Sequence, residues 1–322
     1  MIAAHLLAPA AFPICISVLD SSFNPPTLAH LALARTTRPP SASCTSDAHR
    51  NDFSNLKVVD DAEIDKECDY DARLLLLSVR NADKALKPGD ANYEQRLEMM
   101  ALLAKELQHN LQSSISAKIV GADGTSVTES REEGNIAVAI IDEPTFVKKS
   151  SILRQFTNDR LAQLLVPSEF PTLPSYLAVE LTFLMGFDTL ERFLASRYYG
   201  GSEESMYSAL QVFFAAPPHG DASRVLCAWR GNSKKVTSIT ALDVGADALL
   251  VEEAKRMKDT MSLAQPYINA SYLSFTDISD REMTLSSSEV RAKRANEEEE
   301  WKDMVPSTIQ EYIDRKRLYI SN

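Results

Sequence analysis

The run Arg73 to Val79, RLLLLSV, is apolar without alternation. A stretch so short and continuous is a strand covered on both faces, as in a parallel sheet sandwiched between helices. The rest of the chain repeats the theme. Strands are expected at Ile14–Leu19, Ile136–Ile141, Tyr176–Met185, Ser223–Trp229 and Tyr272–Phe275. Between them, helical spacing of apolar residues marks Tyr93–Leu107, Phe146–Leu165, Thr189–Ala195, Ser202–Phe214 and Ala246–Met257. Strands alternating with helices require right-handed crossovers into one parallel sheet, an α/β architecture. Two polar stretches, residues 36–70 and 113–135, lack periodicity and read as long surface loops. The last third adds the SSSEVR helix, the acidic run Glu297–Glu300 and a closing helix from Pro306.

Two segments at opposite ends of the chain carry chemistry. The first, SSFNPPTLAH at residues 21–30, follows the first strand, turns at two prolines and enters the helix-like AHLALAR, placing Thr27 and His30 in the first helical turn. A helix start after a strand offers unpaired N–H groups and the positive end of a dipole, an anion site that an imidazole extends. The second, LSSSEVR at residues 285–291, sets hydroxyls ahead of Arg291, with Ser286 or Ser287 as helix cap. Both segments favour phosphate.

SFNPPTLAH resembles the (G)SFNP…(T/H)xxH signature, and SSSEVR the ISSTxIR signature, of the nicotinamide/nicotinate mononucleotide adenylyltransferases. Further pieces appear in the family's order. Asn81-Ala82-Asp83-Lys84 stands after the second strand, Gln95-Arg96-Leu97-Glu98-Met99 is similar to the helical R-x-x-M segment, and Gly186-Phe187-Asp188 to its GxD. VPSTIQEYIDRKRLY at 305–319 is similar to the closing VPxxVxxYIxxxxLY helix.

This resemblance implies a Rossmann-like doubly wound parallel sheet with a helical C-terminal part. One nucleotidyltransferase domain is expected over 12–322, with a core over 12–245 and the helical part over 246–322. It implies ATP and a pyridine mononucleotide as substrates, with Mg²⁺ carried on the triphosphate. His30, Lys84 and Arg291 would be the catalytic cations, with His30 facing the α-phosphate and Arg291 the departing pyrophosphate. Ser22, Phe23, Thr27, Gly186, Asp188, Arg230, Ser287 and Ser288 would complete nucleotide binding, Asp188 through a ribose hydroxyl. Asp188 as cap of a helix beginning at Thr189, and Thr27 as cap alone, are the plainer alternatives.

The chain departs from the family in three places. Ser21 stands where the family has Gly, which narrows the backbone conformations that let N–H groups approach phosphate. Ala29 replaces the second Gly. Asp142-Glu143-Pro144-Thr145-Phe146 replaces a Trp-Glu-Ser stretch whose Trp stacks on the pyridine, so Phe146, Tyr198 or Tyr199 would have to supply the stacking surface. Another phosphorylated acceptor, or an ATP-binding protein acting through partners docked on the long loops, stays open on the sequence. So does a homo-oligomer.

Composition bounds these readings. A net charge of −11 argues against nucleic acid or an anionic membrane as partner, so a phosphate site must be locally basic. His30, Lys84, Arg230 and Arg291 would supply it. The four cysteines form neither a CxxC pair nor a zinc spacing, which fits a reducing compartment. The apolar N-terminus lacks a basic leader and holds two prolines, making a poor signal peptide. A cytoplasmic location is expected, with nuclear entry undecided.

Overall fold

The computed structural model describes residues 13–39, 69–80, 89–118, 135–164, 179–229 and 248–320. Six strands form one sheet: β1 (Ile14–Ser21), β2 (Ala72–Ser78), β3 (Ile136–Ile141), β4 (Val179–Gly186), β5 (Arg224–Ala228) and β6 (Leu273–Thr276). Their order is β3-β2-β1-β4-β5-β6, and every neighbouring pair is parallel. That is the doubly wound Rossmann-like order. The winding reverses between β1 and β4, and at such a switch point the carboxyl ends of the strands open a crevice for ligands.

Register explains why both faces are covered. Leu19 pairs with Leu75 on one side and Leu184 on the other, and Leu184 pairs with Leu226. These four leucines form a row beneath α1 (Leu28–Ala34) and α2 (Tyr93–Lys118), packed on Leu31, Met100, Leu103 and Leu107. One residue back, Val18, Phe183 and Val225 make the matching row on the opposite face, because successive side chains along a strand alternate. There they meet α3 (Phe146–Leu164), α4 (Phe187–Phe193), α5 (Glu203–Phe214) and α6 (Ala248–Asn269).

The C-terminal part comprises α7 (Asp280–Thr284), α8 (Ser287–Ala295), a 3₁₀ turn over Glu299–Met304 and α9 (Ser307–Lys316). It has its own core. Trp301, Ile309, Ile313 and Val290 are fully buried with Met99 of α2. Two polar ties reinforce the contact: Tyr312 donates its hydroxyl to Glu98 of α2, and Arg294 pairs with Asp314 at 2.8 Å.

Several element bounds differ from the sequence expectation, each for a physical reason. The helix expected to end at Leu107 runs to Lys118, into the stretch assigned to a loop from 113. Polar residues do not stop a helix, and the first glycine comes only at Gly121. Residues 119–134 lie outside the described residues, as do 40–68 of the first expected loop. Likewise α6 continues past Met257 to Asn269 and accommodates Pro266 near its end. Helix α4 begins at Phe187 directly from β4, not at Thr189, because Gly186 in extended conformation serves as its N-cap. Asp188 therefore lies in the first turn and does not cap. Among the described residues, no helix is long and apolar enough to cross a membrane.

Trp301 is fully buried in the core that the C-terminal part shares with α2. Trp301→Ala should lower stability by about 3–5 kcal/mol, the usual cost of emptying a large buried aromatic site. Chemical denaturation would measure it; a loss under about 1 kcal/mol would show that this core is not what docks the segment.

Candidate active site

The turn between β1 and α1 is strained and tightly packed. Phe23 has φ of 44°, an unusual left-handed conformation for a bulky residue, and its ring is fully buried 5.3 Å from the imidazole of His30. Asn24, Pro25 and Thr27 are buried as well. The side chains of Phe23 and Thr27 thus face protein.

His30 is held in one tautomer. The backbone N–H of Thr27 reaches its Nδ1 at 3.0 Å, and since an amide can only donate, Nδ1 accepts. The Thr27 hydroxyl adds a second donor at 2.9 Å. The proton therefore sits on Nε2, which donates to the Ser21 hydroxyl at 2.8 Å. Burial lowers the His30 pKa to about 4, so the ring is neutral across the physiological range. Neutral imidazole with a fixed Nε2–H is a hydrogen-bond donor aimed at the end of β1.

Helix α8 docks on the same turn. Ser286 is its N-cap, accepting from the N–H of Glu289 at 3.1 Å, which decides between the two serines. Ser287 donates its hydroxyl to the carbonyl of Pro25 at 2.7 Å. Arg291 donates to the carbonyl of Asn24 at 2.5 Å and pairs with Asp90 at 3.3 Å, while Ser288 meets its guanidinium at 3.4 Å. Two motifs separated by most of the chain are thereby bonded to one another. Asp90 also faces Arg96 at 3.7 Å, so one carboxylate holds two guanidinium groups beside the turn. Arg96, from the R-x-x-M segment, is buried and donates to the carbonyls of Ala91 at 2.8 Å and Ser22 at 3.4 Å.

A cavity of about 170 Å³ opens at the carboxyl ends of β1 and β2. Asp20, Ser21, Ser22 and Ser78 form its polar floor, and Phe146, Phe193, Tyr198 and Tyr199 an aromatic wall. All three aromatic residues named as substitutes for the family's stacking Trp line this space. Thr145, Lys149, Arg80 and Arg192 are among its other lining residues; His30 and Arg291 are not. Gly186 ends β4 with open space where a Cβ would stand, and Asp188 is exposed just beyond it. Lys84 and Arg230 lie outside the described residues.

Nothing in the sequence pattern singles out Asp20 and Lys149. The Lys149 ammonium is hydrogen-bonded to the Asp20 carboxylate, and Ser78 donates to the other carboxylate oxygen at 3.0 Å. Both side chains are less than a tenth exposed, at 4% and 7%. Among the described residues, no group of three or more His, Cys, Asp or Glu is placed to hold a metal ion.

The depressed His30 pKa has a definite linkage sign. The unfolded chain binds a proton at the ordinary value of 6.5 and the folded chain only near 4, so the stability His30 contributes is complete above pH 6.5. It is lost as pH falls toward about 4. Melting curves between pH 7.5 and 4.5 should fall less steeply for His30→Gln than for the parent. Nitrogen-15 spectra should show the Nε2–H tautomer throughout; a His30 resonance titrating near 6.5 would contradict the geometry.

No protein-family model matches the chain. A Schizosaccharomyces pombe protein provisionally named nicotinamide mononucleotide adenylyltransferase is 28% identical over 212 residues, 66% of this chain. The chain spans about half the length of that relative, 52%. Two solved structures of Plasmodium falciparum nicotinic acid mononucleotide adenylyltransferase align over 95% of the chain. The one complexed with NaAD has 13% identity, a TM-score of 0.43 and 97% of its own length covered. The one complexed with APC has 12% identity, a TM-score of 0.42 and 96% covered. Likenesses at those scores carry no weight for function. The ordered motifs resemble those of the nicotinamide/nicotinate mononucleotide adenylyltransferases, and the chain is similar to the Schizosaccharomyces pombe protein over the 212 matched residues.

Proposed function

We propose that this protein is an adenylyltransferase that passes AMP from MgATP to a pyridine mononucleotide. The observation that carries the reading is the joined turn: His30 and Arg291, 261 positions apart in sequence, are both hydrogen-bonded to residues 21–24. A phosphate oxygen of the acceptor attacks the α-phosphorus of ATP in line, the new P–O bond forms, the bond to the β-phosphate bridging oxygen breaks, and pyrophosphate leaves. The product is NAD or its deamido form.

Such a transfer needs two anions positioned and the charge on their oxygens neutralised, with no covalent intermediate on the enzyme. The Nε2–H of His30 is a preformed donor for an α-phosphate oxygen, which would replace the Ser21 hydroxyl as its acceptor. Because the Nε2–H is already fixed by the bonds at Nδ1, it can stabilise developing charge without reorganising. Arg291 offers a guanidinium to the leaving pyrophosphate once the triphosphate competes for it with Asp90 and the Asn24 carbonyl. Lys84 is proposed to add a cation beside Arg291 from the segment after β2. Mg²⁺ arrives on the triphosphate as part of the substrate. Gly186 and Asp188, at the carboxyl end of β4, are proposed for the adenosine ribose, and the aromatic wall of the cavity for the acceptor ring.

Chromatography of NAD formed from the purified chain, MgATP and nicotinamide mononucleotide tests the assignment, beside a panel of other phosphorylated acceptors. His30→Ala should lower turnover by roughly 10²- to 10³-fold, the usual cost of one preorganised donor. Turnover within a few-fold of the parent would remove His30 from the chemistry. Tight ATP binding with no product from any mononucleotide would point to an ATP-binding role through protein partners.

A further inference from the structure

We infer that the buried Asp20–Lys149 pair selects the substituent on the acceptor's pyridine ring, favouring a carboxamide over a carboxylate. The inference rests on the adenylyltransferase reading and sharpens it, since that reading leaves the choice between amide and acid open.

The pair is out of place as a stabilising device. Taking two charges out of water costs about as much as their attraction returns, so a buried ion pair adds little that apolar residues would not. This one forms part of a cavity wall instead. Lys149 lies one turn into α3, its ammonium 5.0 Å from the centre of the Phe146 ring, and Asp20 is the penultimate residue of β1. An aromatic surface for a flat ring therefore adjoins a charged pair that can read what the ring carries.

Donor and acceptor capacity decides the preference. An ammonium has three protons, of which the bond to Asp20 uses one. A carboxylate accepts at about four positions, and Lys149 and Ser78 occupy two. The pair thus presents a donor and an acceptor side by side. A carboxamide matches both, its oxygen accepting from Lys149 and its NH₂ donating to Asp20. A carboxylate only accepts, and would lie against the Asp20 charge with little water between them. A lone buried ammonium would choose the acid; Asp20 beside it reverses the choice. Arg80 and Arg192 also line the cavity, but the 5′-phosphate they would attract is common to both acceptors, so they do not discriminate.

The test compares kcat/KM for nicotinamide mononucleotide and nicotinate mononucleotide with the full chain and MgATP, together with calorimetric binding of each mononucleotide alone. The parent should favour the amide by about tenfold or more, as expected when a site built to pair a substrate's N–H groups meets an analogue lacking them. Asp20→Asn should erase most of that preference, chiefly by improving use of the acid. If Asp20→Asn fails to fold, as circular dichroism would show, the double variant Asp20→Asn, Lys149→Gln removes both charges and should bring the acceptors toward parity. Parity in the parent, or a ratio unmoved in both variants, overturns the inference while leaving the activity intact. An equal rise in KM for both acceptors in Lys149→Met would place Lys149 on the shared phosphate and overturn it as well. If neither mononucleotide is bound or converted, the proposed function fails and takes the inference with it.

Discussion

Asn24 is the point on which the site depends. Its side-chain oxygen accepts from the N–H of Ala91 at 3.2 Å and the hydroxyl of Tyr319 at 2.9 Å, while its backbone carbonyl accepts from Arg291 at 2.5 Å. One buried residue after β1 thus gathers the start of α2, helix α8 and the C-terminal tail. Buried polar groups left unpaired are costly, so each of those segments is obliged to return to the same place. The strained backbone of Phe23 next to it is tolerated because the surroundings fix it from several sides. Pieces so far apart in sequence need such an anchor to meet.

That anchor also gathers cations within an acidic chain. The net charge of −11 acts at a distance and is screened within about 10 Å, whereas Arg96 and Arg291 act at contact range. Asp90 bridges them, and without it two guanidiniums would repel across the turn. Burial and the neighbouring Arg291 both push the pKa of Arg96 down, while Asp90 pulls it up. The turn therefore holds its two guanidinium groups through one shared carboxylate.

Much of this was legible in the sequence where the cause is local. Strand β3 spans Ile136–Ile141 as expected, because a short apolar run rich in β-branched residues and bounded by polar ones is too brief for a helix. The Pro-Pro turn and the serine triplet were legible for the same reason: caps and turns are decided within a few residues. The far end of α2 was not, since nothing between Leu107 and Gly121 signals a stop. Nor was Lys149. Lys148 and Lys149 are equivalent in sequence, yet one is exposed and the other buried, and only the rotation of α3 against the sheet distinguishes them. Its partner Asp20 is 129 positions away.

The end of β1 shows how one register serves two tasks. Asp20 and Ser21 are consecutive residues of a strand, so their side chains leave opposite faces. Asp20 is bonded to Lys149 of α3 on one side of the sheet, and Ser21 to His30 of α1 on the other. If the proposed function holds, selection of the acceptor and activation of the ATP phosphate are set by neighbouring residues under a single constraint. A one-residue slip of β1 would exchange the two side chains and also turn the Leu19 row toward the wrong helices. Packing of the sheet therefore enforces the chemistry at its edge: the leucines that hold β1 in register also keep Asp20 and Ser21 on their separate sides.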